Sequence, residues 1–315
     1  MKFLLEAFKA RQDFWIYLII TGLIIVMQFA GGSVIFFLVD LKDMAGNIST
    51  EEVMNTLKNE LHPALLLPVL VLPFILIFFS IVLLYKPLHN QSVLKLFTAF
   101  SKFRYRRMFM AGFLWIAIMS VFELVFYLND PGNYTLNSNF SQVLQVALVA
   151  LLVIPIQATV EELLFRSYYF KGITLVVKYP AISIIICSLI FGLLHASNPE
   201  VGKYGLMNVM PVYIGTGLLL GLLTFLDDGL ELAMGYHIVN NLYGSVFFTF
   251  ESSALPTKAL FSLNTLNLQH QNIAWLIGSI LFFLILSKIY KFSNYKTLLQ
   301  KLEKPQMSTN DETIQ

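Results

Sequence analysis

From Phe14 to Val39 the chain carries no charged side chain, and comparable apolar runs return along its length. A helix needs about 20 apolar residues to cross the hydrocarbon of a bilayer. Eight stretches reach or approach that length: Phe14–Val39, Ala64–Tyr85, Met108–Leu128, Gln142–Phe170, Pro180–Ala196, Leu206–Leu226, Gly229–Phe250 and Ile273–Tyr290. The chain is 57% hydrophobic and 13% charged, with a mean hydropathy of +0.71. A soluble domain carries about twice that share of charge. The expected fold is therefore an all-α polytopic membrane protein of eight transmembrane helices, one domain over 1–300, with a polar, disordered tail at 301–315. The first run is far longer than the roughly 7–15 residues of a signal-peptide core and is expected to be retained as a span. Cys187 is the only cysteine, which excludes a disulfide within the chain.

Basic residues set the orientation. With eight alternating spans and a cytoplasmic N-terminus, 17 Lys and Arg fall on the cytoplasmic side and four (Lys42, Lys58, Lys203 and Lys258) on the other. Both termini are then cytoplasmic, and an odd number of spans would separate the basic N-terminus from the basic tail. The first outer loop is acid-leaning, and Thr50-Glu51-Glu52-Val53 reads as the start of a short surface helix. The Lys86–Arg107 connection alternates basic and aromatic residues. It reads either as an amphipathic segment on the anionic leaflet or as a plain positive-inside loop.

Ionisable groups inside membrane segments are rare and mark functional sites by default. Val160–Phe170 holds Glu161, Glu162 and Arg166 directly after an uncharged run. Glu162 and Arg166 are four residues apart in the favourable acid-to-base order. Glu161 lies about 100° around the helix, so it is expected to stand free while the other two pair. His195 follows Phe191 by one turn in F-G-L-L-H, with Gly192 permitting close packing. His237 and Asn241 share a face in H-I-V-N-N. Each group alone has a plain structural reading: an interfacial ion pair, a satisfied histidine, an interhelical amide contact. Glu123 in the third span is expected to snorkel to the outer surface. For Glu161 and His195 to lie level, the fourth helix must continue through Lys171–Val177 and turn at Lys178-Tyr179-Pro180.

A carboxylate and imidazoles around water suit hydrolysis. Glu161 would take the proton from water, His195 would orient that water, and His237 with Asn241 would donate to an oxyanion. Ser167 and Cys187 are poorly placed as nucleophiles. The same atoms permit a metal alternative, with Glu161, His195 and His237 as a His2Glu zinc set and Glu162 as base. The metal-free version is preferred, and no cofactor is required by it.

E-E-L-L-F-R at Glu161–Arg166, F-G-L-L-H at Phe191–His195 and H-I-V-N-N at His237–Asn241 resemble the three motifs of the CPBP intramembrane proteases. That family includes the type II CAAX prenyl proteases and the bacteriocin-processing and immunity (Abi-like) proteins. The resemblance covers about Gln142 to Phe250. It implies a membrane endopeptidase with Glu161 as catalytic glutamate, completed by Glu162, Arg166, His195, His237 and Asn241. Phe191 is expected to contact substrate. The partners implied are the bilayer and a membrane-associated, prenylated or precursor peptide, with no nucleic acid. The runner-up is a non-enzymatic immunity or scaffold protein that keeps the motifs for packing. An ion-coupled transporter is a third reading, without the inverted repeats that such folds show.

Overall fold

The structure, a computed structural model, describes residues 1–38 and 50–304. The principal helices are α1 (Phe14–Leu38), α2 (Thr50–Glu60), α3 (Pro63–His89), α4 (Tyr105–Asn129), α5 (Phe140–Glu162), α6 (Tyr169–Val177), α7 (Pro180–Leu194), α8 (Leu206–Asp227), α9 (Glu231–Leu242) and α10 (Leu268–Tyr290). A π-helical turn, Leu163–Tyr168, joins α5 to α6 without a break, giving one apolar helix from Phe140 to Val177. Large apolar side chains point outward along these helices: Phe29 is 75% exposed, Phe113 71% and Leu152 72%. A surface of that kind is matched to lipid, and intrahelical hydrogen bonds satisfy the backbone there. The chain is a multi-pass integral membrane protein.

Among the described residues, six helices are long and apolar enough to cross a membrane, where the sequence reading gave eight. The two that fall short are α7, with 15 residues, and α9, with 12. At 1.5 Å per residue they span about 22 and 18 Å, less than the roughly 30 Å of hydrocarbon. They are the helices that carry the His195 and His237 motifs.

The loops gather at two ends. At one end, the Arg11 amide donates to the His89 carbonyl (2.8 Å), the Ala99 amide to Asp228 (3.0 Å) and the Leu302 amide to Lys178 (2.6 Å). At the other, Lys203 pairs with Glu251 (2.7 Å) and Lys58 donates to the Glu251 carbonyl (2.8 Å). Residues near both ends of the described chain therefore share one end, as an even number of passes requires. Leu302 is buried against Leu4, Phe170 and Phe225, so the expected disorder does not begin at 301. Residues 305–315 lie outside the described part, as do 39–49 in the first loop.

Helix packing relies on small residues, as is usual in lipid. A Cβ on Gly217 would lie 2.8 Å from the Ser188 side chain, and one on Gly235 would run into the Met108 carbonyl. These contacts hold α7 on α8 and α9 on α4. Gly172 stays helical; the Tyr17 ring presses against it at 2.6 Å from where a Cβ would be.

The all-α expectation needs one addition. Three short strands, β1 (Tyr134–Leu136), β2 (Phe248–Phe250) and β3 (Phe261–Leu263), form a sheet in the order β1-β3-β2 at the Glu251 end. β1 runs antiparallel to β3 and β2 parallel to it. The basic connector also differs from the membrane-surface reading. Thr98 bridges to Gly229, while Arg104 holds Glu231 through two bonds of 2.9 and 2.7 Å and Asp227 through a third of 2.8 Å. Arg107 pairs with the second oxygen of Asp227. The connector is a docked clamp on the start of α9.

Candidate active site

The helix continuing through Val177 and the turn at Lys178–Pro180 agree with the condition set by the sequence. Lys178 takes a left-handed conformation (φ 69°) and Pro180 opens α7, where its missing N–H costs nothing. Lys171, whose ammonium reaches the Lys95 carbonyl, lies ten residues beyond Glu161. At 1.5 Å per residue, that puts Glu161 about 15 Å inside the clamped end.

Glu161 and Glu162 close α5, 7% and 0% exposed. As expected, Glu162 pairs with Arg166 across one turn (Oε1 to Nη1, 3.2 Å). The Arg166 guanidinium also stacks 4.0 Å over the Phe191 ring, an arrangement that strengthens when water is excluded. His237 stands between the carboxylates: Nδ1 is 2.7 Å from Glu162 Oε1, and Nε2 is 3.6 Å from Glu161 Oε2. The first is a hydrogen bond and the second is too long for one. This differs from the expected oxyanion role. A histidine whose Nδ1 proton goes to a carboxylate presents a basic Nε2 to its other neighbour.

Asn241 is likewise committed elsewhere. Its Nδ2 donates to Gln157 Oε1 (2.9 Å), and Gln157 Nε2 donates to Glu161 Oε1. Asn240 Nδ2 donates to Asn241 Oδ1 (3.2 Å), and Asn240 Oδ1 accepts from the Trp115 indole (3.2 Å). An indole only donates and an ionised carboxylate only accepts, so every amide in this string has one permitted orientation. Gln157 was not singled out from the sequence, although it precedes Glu161 by one turn. An uncharged amide does not register where charge is the search criterion.

His195 caps the end of α7. Its Nδ1 meets the Phe191 carbonyl at 2.7 Å, and its ring stacks on Tyr213 at 4.3 Å. It makes no ion pair with Glu161. Phe191 links the two: its ring centroid is 4.5 Å from His195 and 6.3 Å from His237. Phe191 is only 3% exposed, so its ring packs the site together rather than forming an open substrate wall. Tyr213 belongs to α8. Its hydroxyl donates to Glu200 and accepts from Asn198 (2.9 Å). Neither Tyr213 nor Glu200 carried a signal in the sequence: one is a phenol in an apolar run, the other an acid in a loop.

Buried groups without hydrogen-bond partners concentrate here. Glu161 Oε2, Glu162 Oε2 and both terminal nitrogens of Arg166 have none. Such atoms are uncommon in folded proteins and call for an explanation in each case. The metal alternative fits less well. Among the described residues no three His, Cys, Asp or Glu side chains are grouped to hold an ion. His237, with Nδ1 on Glu162, keeps Nε2 open as a ligand histidine would, but His195 makes no ion pair with either glutamate. Cys187 is buried in the packing between α7 and α8, away from any role as nucleophile.

Comparison with known proteins bears on this geometry. The chain is 27% identical over 154 residues to a protein from Bacillus subtilis (strain 168) described as uncharacterized protein YyaK. The match takes in 49% of this chain and 51% of that protein, so the chain spans about half the length of the curated relative it matches. No solved structure matches. Residues 142–243 match the family described as Type II CAAX prenyl endopeptidase Rce1-like. That range runs from the start of α5 through α9 and holds all three polar motifs, and over it the chain is similar to the Rce1-like type II CAAX prenyl endopeptidases.

Proposed function

We propose that the protein is an intramembrane endopeptidase that hydrolyses a peptide bond of a membrane-associated peptide, with Glu161 activating the water. One observation carries the reading: Glu161 Oε2 is buried, has no hydrogen-bond partner and faces the basic nitrogen of His237 at 3.6 Å. Gln157 fixes the other oxygen, so the free one has a defined direction. Water placed against Oε2 would give a proton to the carboxylate and attack the scissile carbonyl. The same carboxyl would return the proton to the departing amine. His237, polarised by Glu162, accepts from or orients the water. The Arg166 guanidinium, paired with Glu162 and stacked on Phe191, supplies fixed positive charge that would favour a developing oxyanion. Phe191 and Tyr213 hold His195 at the edge of the site. With both termini cytoplasmic, the cleaved bond enters from the inner half of the bilayer.

The test is cleavage of a membrane-peptide library by purified protein in liposomes. Wild type is expected to cut, and Glu161→Gln is expected to lose cutting while unfolding at the same temperature. Full activity in that variant would overturn the assignment and favour the scaffold reading.

A further inference from the structure

We propose a second binding site at the opposite end of the molecule, an aromatic cage around Glu123 that takes the ammonium of a zwitterionic lipid headgroup. Glu123 was expected to snorkel to the surface, but it is only 9% exposed. It lies on the wall of a cavity of about 370 Å³ closed by the small sheet and by the turn after α9. Six rings line it besides, among them Tyr134 on β1, Phe248 on β2, Phe261 on β3 and Tyr243 after α9. They pack on one another, Tyr134 edge-on to Phe248 (centroids 6.1 Å apart), Tyr243 tilted against Phe248 (5.2 Å) and Phe248 stacked on Phe261 (5.5 Å). The Tyr134 hydroxyl donates to Glu123 Oε1 at 2.6 Å and fixes the carboxylate.

The chemistry selects the ligand. A carboxylate withdrawn from water needs a cation or a proton. Among the described residues, no Lys, Arg or His lies within ion-pair distance of Glu123, and no basic residue lines the cavity. The negative faces of several rings around one carboxylate are the recognised environment of an alkylammonium. A phosphate or a free carboxylate would find no counter-charge there. The location selects the source. Leu124 (56% exposed) and Tyr127 (43% exposed), both lining the cavity, continue the lipid-facing surface of α4. Glu123 lies six residues, about 9 Å, from the end of α4, the depth of a headgroup boundary. The cavity thus opens sideways, where a lipid offers its ammonium.

The experiment reconstitutes the full chain in nanodiscs of equal phosphatidylethanolamine and phosphatidylglycerol, then measures lipid retained on gentle extraction by native mass spectrometry. Wild type is expected to retain phosphatidylethanolamine at least about tenfold over phosphatidylglycerol. Glu123→Gln keeps the acceptor for Tyr134 but removes the charge, and is expected to bring the ratio to about one. Should that variant fail to fold, Phe248→Leu with Phe261→Leu, which removes rings and keeps bulk, is expected to lower the ratio several-fold. No preference in wild type, or an unchanged ratio in the folded variant, overturns the proposal. Millimolar tetramethylammonium that binds lipid-free micelles of wild type, with phosphatidylethanolamine unable to displace it, would assign the cage to a soluble ammonium and overturn the lipid assignment.

Discussion

Two clusters of buried acids and bases lie along α9, and they are built to opposite standards. At its start, Arg104 grips Glu231 with two parallel bonds, adds Asp227, and shares Asp227 with Arg107. All four carboxylate oxygens there have a partner. Six residues later, Glu161 and Glu162 flank His237 and Arg166 pairs with Glu162, and four of their atoms make no hydrogen bond. A saturated cluster fixes geometry; one with open valences can accept a reactant. A half-satisfied buried network costs stability, which a protein tolerates where the open positions serve chemistry.

The largest effect is expected from Glu161→Gln, which should lower cleavage about 10²–10⁴-fold, the range of a lost general base, with little change in unfolding temperature. Arg104→Ala reverses the pattern. Removing one partner of a buried pair costs about 3–5 kcal/mol, read as a shift in denaturant unfolding, while the folded fraction keeps its cleavage rate. If Arg104→Ala lost activity at unchanged stability, the division between the clusters would collapse. Gln157→Leu should leave Asn241 without its acceptor and release Glu161. An unsatisfied buried group at about 1–3 kcal/mol corresponds to about 5–150-fold in rate, seen in kcat more than in stability. The smallest change belongs to Tyr213→Phe, which keeps the stack on His195 and loses the bond to Glu200. About a threefold fall is expected, and Tyr213→Leu should exceed it if the stack positions His195.

Sequence reasoning reached the parts of this arrangement that follow from charge and period. The Glu162–Arg166 pair is visible because four residues make one helical turn, and the turn at Lys178–Pro180 because proline starts helices well. The apolar runs showed where the chain meets lipid, but run length alone could not show that α7 and α9 stop short. Gln157 and Tyr213 escaped because neutral polar groups in apolar helices look like packing until their partners are seen. The clamp at Arg104 escaped because its acids, Asp227 and Glu231, are more than a hundred residues away. The strands have three residues each, too few for an alternation to register.

The π-helical turn at Leu163–Tyr168 has a consequence for how the protein can vary. A π turn holds one more residue than the α turn it replaces, so it acts as a phase shift between two stretches of helix. The upstream stretch aims Glu161 and Glu162 at His237; the downstream stretch lays Phe170 and Lys171 against the core and the connector. Deleting one residue from the turn would restore a regular helix and rotate one stretch against the other by about 100°. The number of residues between Glu162 and Tyr169 is then under tighter constraint than most of their identities, and a single deletion there should be harsher than a conservative substitution at any one of them except Arg166.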